Sequence, residues 1–360
     1  MAVNKKLKNI YNKIWEKPEL FAANTILKVQ EKSKMKKYLD PEFHLSEDEK
    51  YQIKEFWKPF YNISSDWCAY YYSQNGIFDP RYIPNDLYFT KIDQYFNSRK
   101  LGWGFNDKNY YSLIFPDVCQ PKVLIRKIGS LLFDEKYRLI NIQNALKIIE
   151  SEYEIIIKPS QESGSGRGIA FYKTREAKNE IRNFLENNKE KDYIIQAIVQ
   201  QHESLAAIYP NALNTIRVTT LLLDDGVHVL SSILRMGAGK SRVDNASNGG
   251  VSVGINSGGK LNKFGHVLYK GTAVEKHPNG FRFENFEVPE FDKIIYTVKR
   301  LAQYTGNFRL VSWDMTVDCF GNVILVESNM RKGGIAIHQF NNGPLFGDLT
   351  ERVLSEVLRK

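Results

Sequence analysis

The chain contains 360 residues, 42% of them hydrophobic and 25% charged, and its formal net charge is +9. This length and balance are typical of a globular protein with two or more domains. No apolar run approaches the roughly 20 residues of a membrane span, which excludes an integral membrane segment.

The excess of positive charge favours acidic partners such as nucleotides, phosphates, uronic acids or an anionic membrane surface. No nucleic-acid partner is expected, because the lysines are spread out and the tyrosines form no single-strand-binding pattern. The lysine-rich N-terminus lacks the apolar segment of a secretory signal, so we expect a cytoplasmic protein. Cys68, Cys119 and Cys319 have no paired spacing and are expected to be reduced packing residues.

Helical spacing of leucine and isoleucine among lysine and glutamate predicts a helical N-terminal region over residues 1–100. Apolar residues on its helices include Leu20, Ile26 and Leu27, and then Ile53, Phe56 and Trp57. The lysines of residues 28–37 are interpreted as a solvated helix face, with a membrane- or partner-facing patch as the alternative.

A glycine-rich loop between two predicted strands, residues 155–159 and 169–172, is the first candidate binding element. The first strand ends in Lys158. Backbone N–H groups approach a phosphate closely only where side chains are absent, so such a loop can cradle phosphates. A merely flexible hairpin loop is the alternative. The loop residues that we expect to bind are Ser163, Gly164, Ser165, Gly166 and Gly168.

Two arginines mark the next candidate, a hairpin of strands 214–223 and 227–235. A three-residue loop with Gly226 in the left-handed conformation pairs residue 223 with 227, which places Arg217 diagonal to Arg235 on one face. Two guanidiniums side by side suggest a bidentate anion site. A two-residue loop would put them on opposite faces as ordinary surface arginines.

A polar, glycine-rich segment at residues 243–250 is suited to a substrate-facing loop. Its candidate substrate-binding residues are Asp244, Asn245, Asn248, Gly249 and Gly250. Helices are predicted at residues 290–305 and 346–359.

Residues 311–329 predict a β-hairpin with a half-buried first strand, because apolar and polar residues alternate up to Asp318 and a second apolar run follows a turn at 319–322. A four-residue loop pairs residue 318 with 323, and therefore Asp314 with Glu327 and residue 312 with Asn329. The apolar face then contains Trp313, Met315, Val317, Ile324 and Val326.

The opposite face of this hairpin carries Asp314, Glu327 and Asn329. Directly paired residues lie about 5 Å apart at Cβ, so the two carboxylates repel unless a cation lies between them. Two carboxylates and an amide oxygen are hard donors of the kind that Mg²⁺ prefers. A solvated hairpin face with unrelated acids is the alternative.

In their order along the chain, these segments resemble the ATP-grasp superfamily, and the fit is best to its sugar-transfer-associated branch. The resemblance covers roughly residues 105–335. The matching stretches are DKN at 107–109, IIIKP at 155–159, GSGRG at 164–168, IIQAIVQQH at 194–202, NTIRVTT at 214–220, LRMG at 234–237, DNASNGG at 244–250 and WDMTVDCFGNVILVESN at 313–329.

The resemblance implies an α+β ATP-grasp fold, with ATP between two subdomains at residues 101–190 and 191–360. It implies that Lys108 and Lys158 bind phosphates under the loop of residues 160–168. Asp314, Glu327 and Asn329 would bind Mg²⁺, and Arg217 and Arg235 would bind the transferred phosphoryl group. The adenine hinge would consist of Gln196, Ala197, Ile198 and Val199, with Glu203 as the ribose partner. The chain departs from the usual pattern at Gln196–Ala197 and at Ser312, where many relatives have an acid and an arginine.

The implied activity is an ATP-dependent carboxylate–amine ligase that forms an acyl phosphate, with a small-molecule or nucleotide-sugar carboxylate and an amine as substrates. The branch suggests amidation of a sugar uronic acid in surface-polysaccharide biosynthesis. A kinase on the same fold and a non-catalytic nucleotide-binding scaffold are the alternatives, and the oligomeric state is left open.

Overall fold

A computed structural model describes residues 18–98, 101–161, 166–188, 191–244, 249–267, 273–331 and 333–358, without the side chains of 18–21 and 103. Contacts between Cα atoms divide the chain into two units. The first contains residues 1–96, 269–272 and 334–360, and the second contains residues 97–268 and 273–333. The division at residues 100 and 190 that the sequence suggests stays a prediction.

Helices form the described part of the first unit. They are α1 (Pro18–Tyr38), α2 (Glu47–Trp57), α3 (Asp66–Asn75), α4 (Asn85–Leu87), a π-helical turn (Tyr88–Ile92), α5 (Asp93–Phe96), α12 (Ala336–Asn342), a 3-10 turn (Gly347–Leu349) and α13 (Thr350–Leu358). Ser46 caps α2 through a reciprocal capping box with Glu49. Gln339 of α12 bonds both backbone groups of Ile83, which joins the C-terminal helices to the loop before α4.

The predicted N-terminal helices are present, but the predicted apolar faces are only partly right. Ile53 and Trp57 of α2 are buried as expected. Ile26 of α1 is instead 56% exposed, because the buried stripe of α1 runs through Glu31 and Met35 and faces away from it.

A six-stranded antiparallel sheet opens the second unit, with the strand order β3-β2-β1-β6-β4-β5. Its strands are β1 (Val123–Ile128), β2 (Leu131–Phe133), β3 (Leu139–Ile140), β4 (Glu154–Pro159), β5 (Ala170–Lys173) and β6 (Tyr193–Ala197). Helices α8 (Ile142–Ile149) and α9 (Lys178–Asn187) bury their apolar stripes with the sheet's isoleucines in one core. Ahead of this sheet lie α6 (Gly102–Phe105), a 3-10 turn (Lys108–Tyr110) and α7 (Tyr111–Ile114).

A seven-stranded antiparallel sheet follows, with the order β11-β10-β9-β8-β7-β12-β13. Its strands are β7 (Thr215–Leu223), β8 (Gly226–Met236), β9 (Val251–Ile255), β10 (Leu261–Val267), β11 (Ala273–Val274), β12 (Leu310–Val317) and β13 (Val323–Asn329). Helix α10 (Glu203–Ile208) precedes β7, and α11 (Phe291–Tyr304) precedes β12. One face of the sheet packs on α11 and is apolar, with Val218, Trp313 and Met315 fully buried in the core.

The hairpin of β12 and β13 has the predicted register at its functional end, although its turn differs from the prediction. Asp314 pairs with Glu327 and Ser312 with Asn329, as expected. Near the turn, however, Val317 rather than residue 318 pairs with Val323, and a β-bulge at Val326 restores the register.

The predicted apolar face of this hairpin is therefore wrong in its second strand. Leu325 and Val323 pair with Met315 and Val317, so they replace Ile324 and Val326 on the core side. Strand β12 is also buried along its whole length, because β7 and β13 flank it and both of its faces are covered.

The hairpin of β7 and β8 also has a turn that differs from the prediction and a bulge that restores the predicted pairing. Leu223 pairs with Gly226, so the loop has two residues and the predicted three-residue loop is wrong. A bulge at Leu230 then shifts the register by one, and Arg217 pairs with Ile233 as expected. The two arginines therefore share a face in spite of the shorter loop.

Two simpler observations complete the fold. None of the helices in the described ranges is long and apolar enough to cross a membrane. All three cysteines are free, but only Cys68 is buried. The expectation of packing residues is wrong for Cys119 and Cys319, which are exposed in the loops before β1 and β13.

Candidate active site

The face of the seven-stranded sheet opposite α11 is polar, and it brings most of the predicted site residues together. Directly paired residues of antiparallel strands project to the same side, and so do residues two apart along one strand. One row across the sheet therefore contains Arg217, Asp314 and Glu327, and the next contains Thr219, Ser312 and Asn329. Thr215 and Arg235 pair in a third row.

Asp314 is the centre of this face and binds both arginines. Arg217 donates from Nε and Nη2 to the two carboxylate oxygens, each at 2.6 Å, and Arg235 Nη1 lies 3.1 Å from Oδ2. Burial opposes ionisation of Asp314, but the charges of Arg217 and Arg235 outweigh it and hold the pKa at about 2. The same contacts raise the pKa of Arg217 against the effect of its burial.

Glu327 binds Lys108, so each acid of the hairpin has a cation of the protein beside it. Lys108 Nζ lies 2.7 Å from Glu327 Oε1, and its side chain is only 3% exposed. Burial lowers the pKa of Lys108, but Glu327 and other acidic neighbours raise it by more, so the pKa lies above its usual value. Burial likewise raises the pKa of Glu327, and the charge of Lys108 leads the effects that bring it below its usual range. The repulsion expected between the two carboxylates is thus relieved by Lys108, Arg217 and Arg235.

Lys158 is different, because no described residue forms a hydrogen bond or an ion pair with its buried ammonium. It is the penultimate residue of β4 and is 7% exposed, and it makes no hydrogen bond or ion pair within the part of the chain that the structure describes. Burial and then the charge of Lys108 lower its pKa to about 7, and Glu327 opposes them only in part. Four cationic side chains and three carboxylates form this cluster, and Lys158 is the one of the four cations without an ion pair to a described carboxylate.

Asp244, a predicted substrate-binding residue, joins the cluster at its edge. Its Oδ1 lies 3.4 Å from Arg235 Nη2, and its Oδ2 accepts a hydrogen bond from the Thr215 hydroxyl. Gly249 and Gly250 stand immediately before β9, and no described contact connects them with the cluster. Asn245 and Asn248 lie outside the described residues.

The glycine-rich loop is described at residues 160–161 and 166–168, and Ser163, Gly164 and Ser165 lie outside the described residues. Gly166 and Gly168 have φ of +69° and +73°, a conformation that favours glycine. A Cβ at Gly166 would lie 3.3 Å from Val243. The loop thus runs beside the segment that ends in Asp244.

Of the residues predicted to form the adenine hinge, Gln196 and Ala197 end β6, and Ile198 and Val199 follow it. Gln196 is buried and the other three are half-buried. The buried side-chain oxygens of Gln196 and of Ser160, at the start of the glycine-rich loop, have no hydrogen-bond partner among the described residues. Glu203 is exposed at the first turn of α10, and no described contact connects it with the cluster.

The residues present fit a magnesium nucleotide. No group of three or more His, Cys, Asp or Glu side chains in the described ranges could hold a metal, but the predicted set needs only two acids and an amide. These hard oxygen donors stand on adjacent rows of one face, and Glu327 Oε2 makes no described hydrogen bond. An anionic phosphate would supply the partner that Lys158 lacks, since a buried cation is costly without one.

Several positioning residues are not apparent from the sequence analysis. The Tyr111 hydroxyl lies 3.1 Å from the Ser328 backbone nitrogen and holds β13 between Glu327 and Asn329. Asp107 caps the turn that carries Lys108, and its second oxygen accepts a hydrogen bond from Gln161 in the glycine-rich loop. The sequence contains a signal for Asp107 and for Tyr111. Asp is a preferred capping residue, and the spacing of residues 108 and 111 lets them share a helix face.

The sequence profile of the sugar-transfer associated ATP-grasp family matches residues 89–354 of the chain. The chain belongs to this family. The predicted family and the predicted α+β ATP-grasp fold are both confirmed, and the match includes every residue of the cluster described above. No curated protein matches the chain in sequence.

Solved structures resemble this ATP-grasp protein only distantly. The ATP-grasp ligase PsnB, complexed with its minimal precursor, is 12% identical with a TM-score of 0.43, over 73% of this chain and 64% of that one. D-alanyl-alanine synthetase A from Vibrio cholerae is 12% identical with a TM-score of 0.41, over 70% and 64%. L-amino acid ligase from Bacillus licheniformis is 14% identical with a TM-score of 0.39, over 70% and 48%. The chain covers less than two thirds of each.

Proposed function

We propose that this protein is an ATP-dependent ligase that joins a carboxylate to an amine through an acyl phosphate. The observation that carries the proposal is the buried ammonium of Lys158, which has no ion-pair partner among the described residues, beside a cluster with two arginines and two hard-donor acids. Such an arrangement is costly to the folded protein unless an anion binds to it. The two facing carboxylates, Asp314 and Glu327, argue against a non-catalytic scaffold, which has no need of them.

Each part of the cluster has a role in this reaction. Lys108, Lys158 and the glycine-rich loop bind the phosphates of ATP, and residues 196–199 with Glu203 bind the nucleoside. Asp314, Glu327 and Asn329 hold Mg²⁺, which neutralises phosphate charge when it is bound. Arg217 and Arg235 stabilise the negative charge that spreads over the transferred phosphoryl group in the transition state.

The chemistry then needs no nucleophile from the protein. A carboxylate oxygen of the acceptor attacks the γ-phosphorus, the bond to the β,γ-bridging oxygen breaks, and ADP leaves. An amine next attacks the acyl carbon, and phosphate leaves with the electron pair of the carbon–oxygen bond. The family's association with sugar transfer favours a sugar uronic acid as the carboxylate, in polysaccharide biosynthesis, with an amino acid or amino alcohol as the amine.

Hydroxylamine trapping tests the ligase proposal. A panel of sugar uronic acids is incubated with ATP, Mg²⁺ and hydroxylamine, and hydroxamate, ADP and phosphate are measured. An acyl phosphate should be intercepted, giving hydroxamate with ADP and phosphate in equal amounts. A stable phosphorylated product without hydroxamate would contradict the ligase and establish the kinase instead.

Replacing Arg235 by alanine should lower ADP and hydroxamate formation together by about 150-fold, because roughly 3 kcal/mol of transition-state stabilisation is lost. Arg235 is the better target of the two arginines because Asp314 keeps its bidentate partner Arg217 in the variant. Arg182→Ala, which removes an exposed arginine of α9, is the matched control and should leave both rates unchanged. Unchanged rates in Arg235→Ala would contradict this role.

Lys158→Met should weaken ATP binding while stabilising the nucleotide-free protein. A charge-assisted contact to phosphate is worth about 1.5–3 kcal/mol, so calorimetry should show a Kd about 10- to 150-fold higher. The free energy of unfolding without nucleotide should rise, because a buried cation without a partner is removed. Lys147→Met, at an exposed position of α8, should change neither quantity.

The pH dependence of stability provides a second measurement on Lys158→Met. Unfolded lysine keeps its proton up to about pH 10, whereas folded Lys158 releases it above about pH 7. The unfolded state binds more protons between these values, so wild-type stability should rise with pH across this window. The variant should lack that contribution. Identical pH profiles, or an unchanged ATP affinity, would contradict the assignment.

A further inference from the structure

The three carboxylates of the cluster are bound very unequally. Asp314 accepts three hydrogen bonds from two guanidiniums at 2.6–3.1 Å, and Glu327 has a 2.7 Å ion pair with Lys108. Among the described residues, Asp244 has a 3.4 Å contact with Arg235 and a hydrogen bond from the neutral hydroxyl of Thr215. Of the three carboxylates, Asp244 therefore has the weakest contact with a cation of the protein.

Asp244 is nevertheless held firmly beside the reacting region. Arg235 connects it with Asp314, because one guanidinium contacts both acids. The segment before it is anchored by the Tyr209 hydroxyl, which lies 3.0 and 2.8 Å from the carbonyl oxygens of Gly239 and Ser241. The Asp244 side chain is 17% exposed, so a second substrate can approach it.

The electrostatic surroundings separate Asp244 from the other two acids. Burial raises its pKa, the charge of Asp314 adds to this, and Arg235, Arg217 and the Thr215 hydroxyl oppose it without cancelling it. The pKa values of Asp314 and Glu327 lie below their usual range. Carboxylates whose environments move their pKa values apart are suited to different tasks, and the one with the raised value is suited to proton transfer.

We propose that Asp244 is a catalytic residue that binds the acceptor amine as its ammonium ion and takes a proton from it. This inference rests on the proposed ligase activity. Most amines are protonated at neutral pH and have no free electron pair, so the attack on the acyl phosphate requires a base. An anionic carboxylate next to the arginine that holds the phosphoryl group can both attract the ammonium and deprotonate it.

The proton transfers balance in the proposed step. One proton moves from the ammonium nitrogen to the Asp244 carboxylate, and the freed electron pair forms the bond to the acyl carbon. The bond from that carbon to the phosphate oxygen breaks, and its electron pair leaves with the phosphate. The second proton passes from the nitrogen to the departing phosphate, which leaves as hydrogen phosphate, and Asp244 later releases its proton to solvent.

The test compares two nucleophiles in Asp244→Asn, which keeps the size and polarity of the side chain. Ethanolamine is an ammonium ion at neutral pH and needs a base, whereas hydroxylamine is largely unprotonated and does not. With a uronic acid that the wild type accepts, amide formation from ethanolamine should fall at least about 100-fold, the usual contribution of a general base. Hydroxamate formation should stay within about threefold of the wild type.

A pH profile strengthens this comparison. The residual rate of Asp244→Asn with ethanolamine should rise with pH as the free amine accumulates. Asp225→Asn, an acid in the turn between β7 and β8, is the matched control and should behave like the wild type with both nucleophiles. If the amide disturbs Arg235, Asp244→Ala serves as the second variant, with the same expectation.

The possible results are distinct. A selective loss with ethanolamine supports Asp244 as the base. An equal loss with both nucleophiles overturns this role, because Asp244 would then act only as a positioning residue. No loss with either nucleophile also overturns it, because Asp244 would then have no role in the reaction. If the wild type itself gives no hydroxamate with any carboxylate, the ligase proposal fails instead.

Discussion

Replacing Asp314 by asparagine is expected to lower the free energy of unfolding by about 3–5 kcal/mol. The Asp314 side chain is 5% exposed and that of Arg217 is 13% exposed, so the pair is buried. Asparagine keeps the shape of the side chain, but it carries no negative charge and places an NH₂ donor where one of the two carboxylate oxygens stood. The variant therefore leaves buried guanidinium charge without a counter-ion.

Urea unfolding of the nucleotide-free protein measures this loss. The double variant Asp314→Asn/Arg217→Gln should be less destabilised than the sum of the single variants, because removing both charges avoids the unpaired one. Glu176→Gln, which breaks an exposed ion pair with Lys173, is the control and should change stability by less than about 1 kcal/mol. Strict additivity of the two single variants would show that the pair is not coupled as the contacts indicate.

The sequence was sufficient to predict which residues share the polar face of the sheet, because the side chains of a strand alternate with a period of two. A slip of one residue would turn Asp314 toward the core and Trp313 toward the polar side, so the buried face determines the register. Both hairpin loops were predicted with the wrong length, yet Asp314 pairs with Glu327 and Arg217 with Ile233 as expected. The bulges at Val326 and Leu230 each insert one extra residue. This restores the predicted pairing although the turns differ in length from the prediction.

The sequence was not sufficient to predict which cation neutralises which acid. Lys108 reaches Glu327 from a turn before the first sheet, and Arg217 binds Asp314 from the neighbouring strand. These contacts depend on how β7, β12 and the segment around Lys108 pack, which local spacing does not encode. The same reason explains why the pattern of residues 243–250 identified Asp244 without indicating its contact with Arg235.

Glu327→Gln is expected to reduce turnover by about 100- to 1,000-fold, the range for losing one preorganised electrostatic contact at a reacting phosphate. Glutamine keeps the volume of the side chain and an oxygen for the Lys108 ammonium, so the protein should remain folded. It removes the negative charge that the proposed Mg²⁺ site requires. Glu284→Gln, at an exposed position before β12, should be fully active.

Two measurements separate a metal role for Glu327 from a structural one. Turnover is followed at increasing Mg²⁺, and binding of Mn²⁺ is titrated in the presence of ADP, which does not depend on catalysis. A metal ligand predicts weaker Mn²⁺ binding and a low rate that saturating Mg²⁺ does not restore. Near-normal turnover at saturating Mg²⁺ would contradict the assignment. Glu327 would then serve chiefly as the counter-ion of Lys108, and the variant would lose thermal stability while its turnover at saturating Mg²⁺ stayed near normal.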